Sequence, residues 1–169
     1  MKKKNILIRE CKIQDSMFIY DLYNSNVKKK NFNQNKTVTF KSHQKWIKNI
    51  LKSKKSIIYI GLFDTKFGYV RIENLFDNFF NISIAVTDKH IGMGYSGKFL
   101  DLSINKFLKK RKNSFLFSFV KKNNFKSKNF FLSNSFFEIK VNDKNKFYQF
   151  LKKDNNIFFY FKQLSLKRN

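Results

Sequence analysis

Hydrophobic and polar positions change period several times along this chain, and each change marks an element. Asn5 to Lys12 alternates, with Ile6 and Ile8 on one face, and predicts a first strand. Asp15 or Ser16 can cap a short helix in which Phe18, Ile19, Leu22 and Tyr23 form an apolar stripe. Asn24 to Lys36, rich in lysine and asparagine, predicts a loop. A second helix follows Thr39 to Ser42, with Ser42 as N-cap and Trp46, Ile47, Ile50 and Leu51 at helical spacing. Ser56 to Phe63 is a buried strand, and Asp64-Thr65-Lys66 turns it into a hairpin partner, Phe67 to Asn74. Phe79 to Val86 is the next strand: Ile82, Ile84 and Val86 point one way, the small Ser83 and Ala85 the other. Leu100, Ile104, Phe107 and Leu108 mark a helix over Gly97 to Lys110, with Lys109 to Lys112 at its negative end. Then come a strand (Ser114 to Val120), a helix (Asn124 to Ser133), a strand (Phe136 to Val141) and a closing strand (Ile157 to Leu164). Asn142 to Asn156 admits either a short helix or a hairpin arm. With no internal repeat and no linker composition, the pattern predicts one α/β domain over residues 5–165.

Lys89 to Gly97, K-H-I-G-M-G-Y-S-G, interrupts this pattern between a strand and a helix. It holds Gly92, Gly94 and Gly97, three of the five glycines in the chain. Glycine is costly to order, so such clustering marks a backbone that bends tightly or lies against a ligand. A strand, a glycine-rich turn and a helix start in succession aim backbone N–H groups at one point, the geometry of a phosphate cradle.

Composition changes the picture less than its extremes suggest. The 169-residue chain carries a formal net charge of +25, which invites a nucleic-acid reading. Yet only Arg9, Arg71, Arg111 and Arg168 are arginines, and the lysines are spread through nearly every segment. Lys, Asn, Phe and Ile dominate, Pro is absent and Ala85 is the one alanine, a bias toward A/T-only codons. Nucleic-acid readers favour arginine and concentrate charge on one face. The positive field still attracts an anionic substrate. No long uncharged apolar run is present, so no membrane span is expected. The basic N-terminus is broken by Arg9 and Glu10 and is no secretory signal. Cys11 is the single cysteine, which excludes an internal disulfide and a cysteine-based metal cluster and fits a reducing, cytoplasmic setting.

Gly92-Met93-Gly94-Tyr95-Ser96-Gly97 also fits G-x-G-x-x-G. A dinucleotide-binding turn wants the strand to run into the first glycine and a carboxylate about 20 residues on. Here Thr87 to Ile91 intervene and Phe115 to Lys122 has no carboxylate. The companion motifs of a kinase are missing too. The chain instead resembles the GNAT superfamily of N-acetyltransferases, whose signature is Gln/Arg-x-x-Gly-x-Gly/Ala before a long helix. Lys89-His90-Ile91-Gly92-Met93-Gly94 matches it with lysine at the first position. Val120, Asn124, Ser127, Phe131 and Phe136 match the family's V-x-x-x-N-x-x-[AS]-x-x-x-Y-x-x-x-x-F, with Phe131 where tyrosine is usual. Upstream, Asp21-Leu22-Tyr23-Asn24 and Phe40 to Trp46 look like the D-W-R-N and S-x-E-x-H-x-x-W stretches of one branch, with Tyr23 where arginine is usual. That branch acetylates UDP-linked 4-amino-4,6-dideoxy sugars of the pseudaminic acid type.

The resemblance implies a mixed, mostly antiparallel sheet of about seven strands with about four helices. It also implies acetyl-CoA as co-substrate, a small amine acceptor such as a UDP-linked amino sugar, and no metal. The loop backbone from Ile91 through Gly92, Met93, Gly94, Tyr95 and Ser96 to Gly97 would hold the pyrophosphate, with the helix dipole adding about 0.3–1 kcal/mol per charge. Lys89, Lys98 and Lys126 are further phosphate candidates. Ile84, Ala85 and Val86 would pair through their backbone with the pantetheine arm beside a splay in the sheet. A backbone N–H there would stabilise the oxyanion. Asn124 and Ser127 are candidates for cofactor contact or for plain helix capping. Phe131 cannot protonate a thiolate, so Tyr95 or water would substitute, or the thiolate would leave unassisted. Glu73 is the first candidate for general base and His43 the second, with surface packing beside Trp46 as the plainer role for His43. Two alternatives stay open: an acetyltransferase of protein N-termini or ribosomal proteins, and a basic nucleic-acid-binding protein on a degenerate acyltransferase fold.

Overall fold

The computed structural model describes residues 5–29, 36–53, 55–139 and 157–163, with 139 and 157–163 described by their backbone alone. The strands are β1 (Leu7–Glu10), β2 (Ser56–Leu62), β3 (Lys66–Phe76), β4 (Phe79–Val86), β5 (Phe115–Lys121), β6 (Phe137–Ile139) and β7 (Ile157–Gln163). The helices are α1 (Ser16–Lys28), α2 (Phe40–Lys52), α3 (Tyr95–Lys110) and α4 (Phe125–Ser133). This is the succession that the periodicity predicts. The strands form one sheet in the order β1-β2-β3-β4-β5-β7-β6. Every pairing is antiparallel except β4 with β5.

Strand alternation divides the core between two layers of helices. On one face Ile58, Ile60, Tyr69 and Ala85 meet Ile19 and Leu22 of α1 and Ile47 and Ile50 of α2. On the other, Tyr59, Val70, Ile72, Ile82 and Leu116 meet Phe99, Leu100, Ile104 and Phe107 of α3 and Phe131 of α4. Each such side chain contributes about 1.5–3 kcal/mol by leaving water. Among the described residues no helix is long and apolar enough to cross a membrane.

Three local expectations need correction. Asn24 to Lys28 is helix, not loop. Val27 is buried, and the asparagines have structural work: Asn26 Nδ2 donates to the Leu22 carbonyl at 2.8 Å. Asn24 exchanges two hydrogen bonds with the Val38 backbone, at 3.0 and 3.1 Å, tying α1 to the entry of α2. Second, the N-cap of α2 is Thr39, whose Oγ1 accepts from the Ser42 N–H at 3.3 Å. Third, Leu51 is exposed and His43 takes a buried place in its stead. The expectations for Asn142 to Asn156 and Val141 lie outside the described residues.

The β4–β5 junction positions everything that follows. Phe79, Phe80 and Asn81 pair in parallel with Phe115, Leu116 and Phe117, and the pairing stops there. β4 continues to Val86 on β3, and β5 continues to Lys121 on β7. The sheet therefore opens into a V between Ile82–Val86 and Ser118–Lys121.

A buried ion cluster holds the start of the fold together. Asp15, only 1% exposed, accepts from Arg9 at 2.6 and 2.8 Å and from the Lys12 N–H at 2.8 Å, and pairs with Lys66 at 2.8 Å. Burial pushes the carboxyl pKa up, but the bonds from Arg9, Lys66 and Lys12 outweigh it and hold the group well below the usual carboxylate range. Beside it, burial pushes the Cys11 thiol up to about 12, so it stays protonated and inert at neutral pH. A folded-state pKa below the unfolded one gives stability that is present above about pH 4 and lost as pH falls through the folded value. We expect Asp15→Asn to cost about 2–3 kcal/mol at pH 7, because Arg9 and Lys66 lose their charged partner. Denaturant unfolding from pH 7 to pH 2 should show a shallower acid decline in the variant than in the parent.

Candidate functional site: the splayed cleft and the glycine loop

The opening between β4 and β5 is a cleft of about 280 Å³. From the α1/α2 side it is lined by Tyr23, Trp46, Tyr69, Arg71 and Ser83. Asn81 to Ile84 and Ser118 to Lys121 form its strand walls, and Asn124, Ser127, Phe130 and Phe131 its α4 side. Alternate peptide groups of β4 bond to β3, so the others turn toward the gap, where no strand meets them. Unmet backbone groups inside a fold call for a partner. A second cleft, of about 340 Å³, lies where β1 ends and β2 begins, lined by Glu10, Cys11, Ser53 and Lys110 among others.

At the far end of β4 the predicted loop takes the form of an open cradle. A short turn, Asp88–His90, leads into it, and Gly94 is the N-cap of α3. Gly92 and Gly94 have φ of 78° and 77°, the left-handed region that glycine adopts freely. Nothing stands within 4 Å of the place where a side chain would begin on either. Ile91, Gly92, Met93 and Gly94 are exposed, and Tyr95, Ser96 and Gly97 form the first turn of α3 with its free N–H groups. Gly97 has a packing reason of its own. A Cβ there would lie 2.6 Å from Asn134 Oδ1 at the end of α4, so glycine lets the two helices approach. Lys89, Lys98 and Lys126 are exposed around these elements. The loop is anchored by Lys29, which pairs with Asp88, and by the 2.6 Å or shorter reach of that amine to both carboxylate oxygens.

The remaining candidates divide between cleft and surroundings. Ile84 lines the cleft, while Ala85 and Val86 turn their side chains into the two cores. Asn124 caps α4, its Oδ1 accepting from the Ser127 N–H at 3.1 Å, and both residues also line the cleft. Phe131 is buried there, edge-on to Phe136 and Phe130. Tyr95 packs edge-on against Phe63, 4.7 Å between ring centres, in a cluster with Phe67 and His90, and is not among the residues lining the cleft. His90 is held by Thr87 Oγ1 at 2.7 Å; desolvation, then Lys89, lowers its pKa.

Glu73 sits near the end of β3 on the α1/α2 face, 39% exposed, with Oε2 3.7 Å from Arg71. His43 is not the surface residue that its plainer reading implies. It is 4% exposed, packed among Tyr20, Tyr23 and Trp46 with ring centres 5.1 to 6.3 Å away, and neither ring nitrogen has a hydrogen-bond partner. Burial lowers its pKa. Sequence reasoning missed Tyr69, Arg71, Ser83 and Ser118. Arg71 had a signal, as one of four arginines among so many lysines. Among the described residues no group of three His, Cys, Asp or Glu side chains is placed to hold a metal.

No protein-family model matches the sequence, and neither does any curated protein. Solved structures do match. A spermidine N-acetyltransferase from Vibrio cholerae, in complex with CoA and spermine, superposes with TM-score 0.76 at 12% identity over 95% of this chain and 96% of that one. A ribosomal-protein-alanine N-acetyltransferase from Brucella melitensis gives 0.74 at 16%, over 94% and 99%. An N-acetyltransferase from Staphylococcus aureus Mu50 gives 0.73 at 19%, over 95% and 99%. The fold is that of the GNAT-type N-acetyltransferases, with the mostly antiparallel sheet that the sequence resemblance implies.

The residues present fit an acyl-CoA. The cradle is open and rich in N–H donors, and a strand edge free of a partner leads from it into the cleft. His43, buried between α1 and α2, makes stability depend on pH. Because its folded pKa lies below the unfolded value near 6.5, it destabilises the fold as pH falls through and below that value, when the unfolded chain takes up the proton first. In His43→Phe that loss should disappear between pH 7 and 5, with stability at pH 8 within about 1 kcal/mol of the parent, because no hydrogen bond is broken. Thermal unfolding across this range measures it.

Proposed function

We propose that this chain is an acetyl-CoA-dependent N-acetyltransferase that acts on a primary amine of a nucleotide-linked amino sugar. The observation that carries the donor half is the continuity of β4: one strand ends in the glycine cradle and offers its free edge to the splayed cleft. In this reading the N–H groups from Ile91 to Gly97 hold the pyrophosphate, and Lys89, Lys98 and Lys126 add charge around it. The backbone of Ile84, Ala85 and Val86 pairs with the pantetheine arm. Asn124 and Ser127 bound the arm from α4. The acceptor half is supported by Tyr23 and Trp46, which line the cleft from the two upstream segments that resemble the amino-sugar branch.

The reaction that this arrangement favours is direct transfer. The amine lone pair attacks the thioester carbonyl carbon, with proximity supplying much of the rate. A β4 N–H that faces the gap stabilises the developing oxyanion. The C–S bond then breaks and the sulfur leaves as thiolate, which receives through water the equivalent of the proton lost by the amine; with Phe131 apolar, no side-chain acid is assigned there. The amine proton passes through water to Glu73, which the register of β3 sets beside the cleft two residues from Arg71. His43, one layer behind Tyr23 and Trp46, packs the acceptor wall.

Acetyl-CoA should raise the melting temperature, by an amount that corresponds to about 2.7 kcal/mol at a hundredfold excess over Kd. Gly94→Val should reduce that shift, since the residue adopts the left-handed region poorly and its side chain would stand over the cradle. No shift with millimolar acetyl-CoA would overturn the reading. Glu73→Gln should lower kcat/KM for a UDP-amino sugar by about 10²-fold and leave the acetyl-CoA shift in place. Parallel assays with alanine-terminated peptides separate the sugar acceptor from a protein N-terminus.

A further inference from the structure

The acceptor side of the cleft has a charge pattern that the donor site does not explain. Among the described residues no Asp or Glu lines the cleft, and the charged side chains in its lining are Arg71 and Lys121; Glu73, 3.7 Å from Arg71, stands outside that lining. Arg71 comes from the middle of β3, opposite Ser83 on β4 and beside the point where the sheet opens. Its guanidinium lies over the Trp46 ring, 5.6 Å from the ring centre, and is 27% exposed. Its one ion pair among the described residues is the 3.7 Å approach to Glu73, longer than a hydrogen bond. A planar fork of five N–H donors thus lies over an aromatic ring, partly withdrawn from water, with none of its side-chain donors bonded to another described residue.

We infer that Arg71 is the acceptor-docking residue, and that the acceptor amine carries an anionic group, a carboxylate or a phosphate, which the Arg71 fork grips. This rests on the acetyltransferase reading of the cleft. It narrows that reading by disfavouring polycationic amines, because a second ammonium would sit against Arg71 and Lys121, while Glu73, 3.7 Å from Arg71, is the proposed base for the reacting amine. The same field lowers the pKa of the amine that is to react and so favours its free base. Arginine differs here from one more lysine in its intrinsically planar fork, where two parallel hydrogen bonds to an anion form together beside the Trp46 ring.

The test uses the full chain and four kinds of amine: glutamate, glucosamine 6-phosphate or a UDP-linked 4-amino-4,6-dideoxy sugar, glucosamine, and spermidine. We expect the anionic amines to be favoured over glucosamine and spermidine by about tenfold or more in kcat/KM. Glutamate against the phosphate-bearing pair identifies which anion is read. In Arg71→Gln, KM for the preferred anionic amine should rise about tenfold or more while kcat changes less, and the loss on glucosamine should be much smaller. Arg71→Lys should recover only part of the affinity, as a point charge without the fork. Preference for spermidine or glucosamine in the parent, or an equal loss on every amine in Arg71→Gln, would overturn the inference. Calorimetric titration of the UDP-sugar into protein without acetyl-CoA separates the two readings. Binding that weakens in Arg71→Gln but not in Gly94→Val supports the docking role even where acetyl-CoA fails to bind. Binding indifferent to Arg71 removes the docking role and leaves the donor site standing.

Discussion

The interaction on which the site depends is one that ends early: the parallel pairing of β4 with β5. Three residue pairs hold the strands together, and a stack of phenylalanines secures that short contact. Phe79 lies 4.9 Å from Phe115, 5.5 Å from Phe117 and 4.8 Å from Phe76, ring centre to ring centre. Such pairs add about 0.5–1.5 kcal/mol each beyond their burial. Above them each strand keeps its outer partner, β3 for β4 and β7 for β5, so the sheet forks without either half losing its ladder. The fork exposes peptide groups on both sides. A strand edge ordinarily invites another chain, but here the two walls and the helices α1, α2 and α4 admit only something narrow. An extended ligand arm with its own amides meets that requirement.

In the proposed reading the donor and acceptor ends of the cleft are built by different means. At the donor end the backbone does the work, through left-handed glycines and the start of α3. Side chains there are exposed lysines, and the glycine positions need open space more than contact. At the acceptor end side chains do the work, on rigid β3 and on α1 and α2. Tyr23, Trp46 and Tyr69 give an aromatic wall, with His43 buried and neutral behind it. A neutral ring in that place keeps the wall apolar around Arg71. This division explains why nucleotide-like binding leaves a sequence trace in glycines, whereas acceptor choice leaves one in scattered aromatic and charged positions.

Much of the fold was legible because period and packing agree. Phe79 to Val86 reads as a strand with a small face, and in the structure Ala85 meets the α1/α2 layer while Ile82 and Ile84 meet the other. The glycine loop was legible because glycine is scarce. What escaped was non-local or local in equivalent ways. Thr39 and Ser42 are both good caps three residues apart, and only the observed turn chooses between them. Asn24 and Asn26 look like loop residues until their bonds to Val38 and Leu22 are known. Buried Asp15 gathers Arg9, six residues before it, and Lys66, distant in the chain, which no periodicity records. His43 reads as a surface residue by polarity and is buried by its aromatic neighbours. Of the candidate site, the glycine loop was legible in the sequence, and most of the α1/α2 side of the cleft was not, because β3 offers no motif for Arg71.

Charge gives the last link between composition and chemistry. A field of +25 on a chain of this size attracts anions everywhere and so selects none. Selection therefore has to come from places where a cation is held rather than merely present. Exposed lysines lose much of their effect to solvent and salt. Arg71, over the Trp46 ring and partly withdrawn from water, is screened less. In the proposed reading the lysine background and Arg71 thus act at different ranges: the first gathers anionic molecules near the surface, and the second selects which of them presents its amine at the fork between β4 and β5.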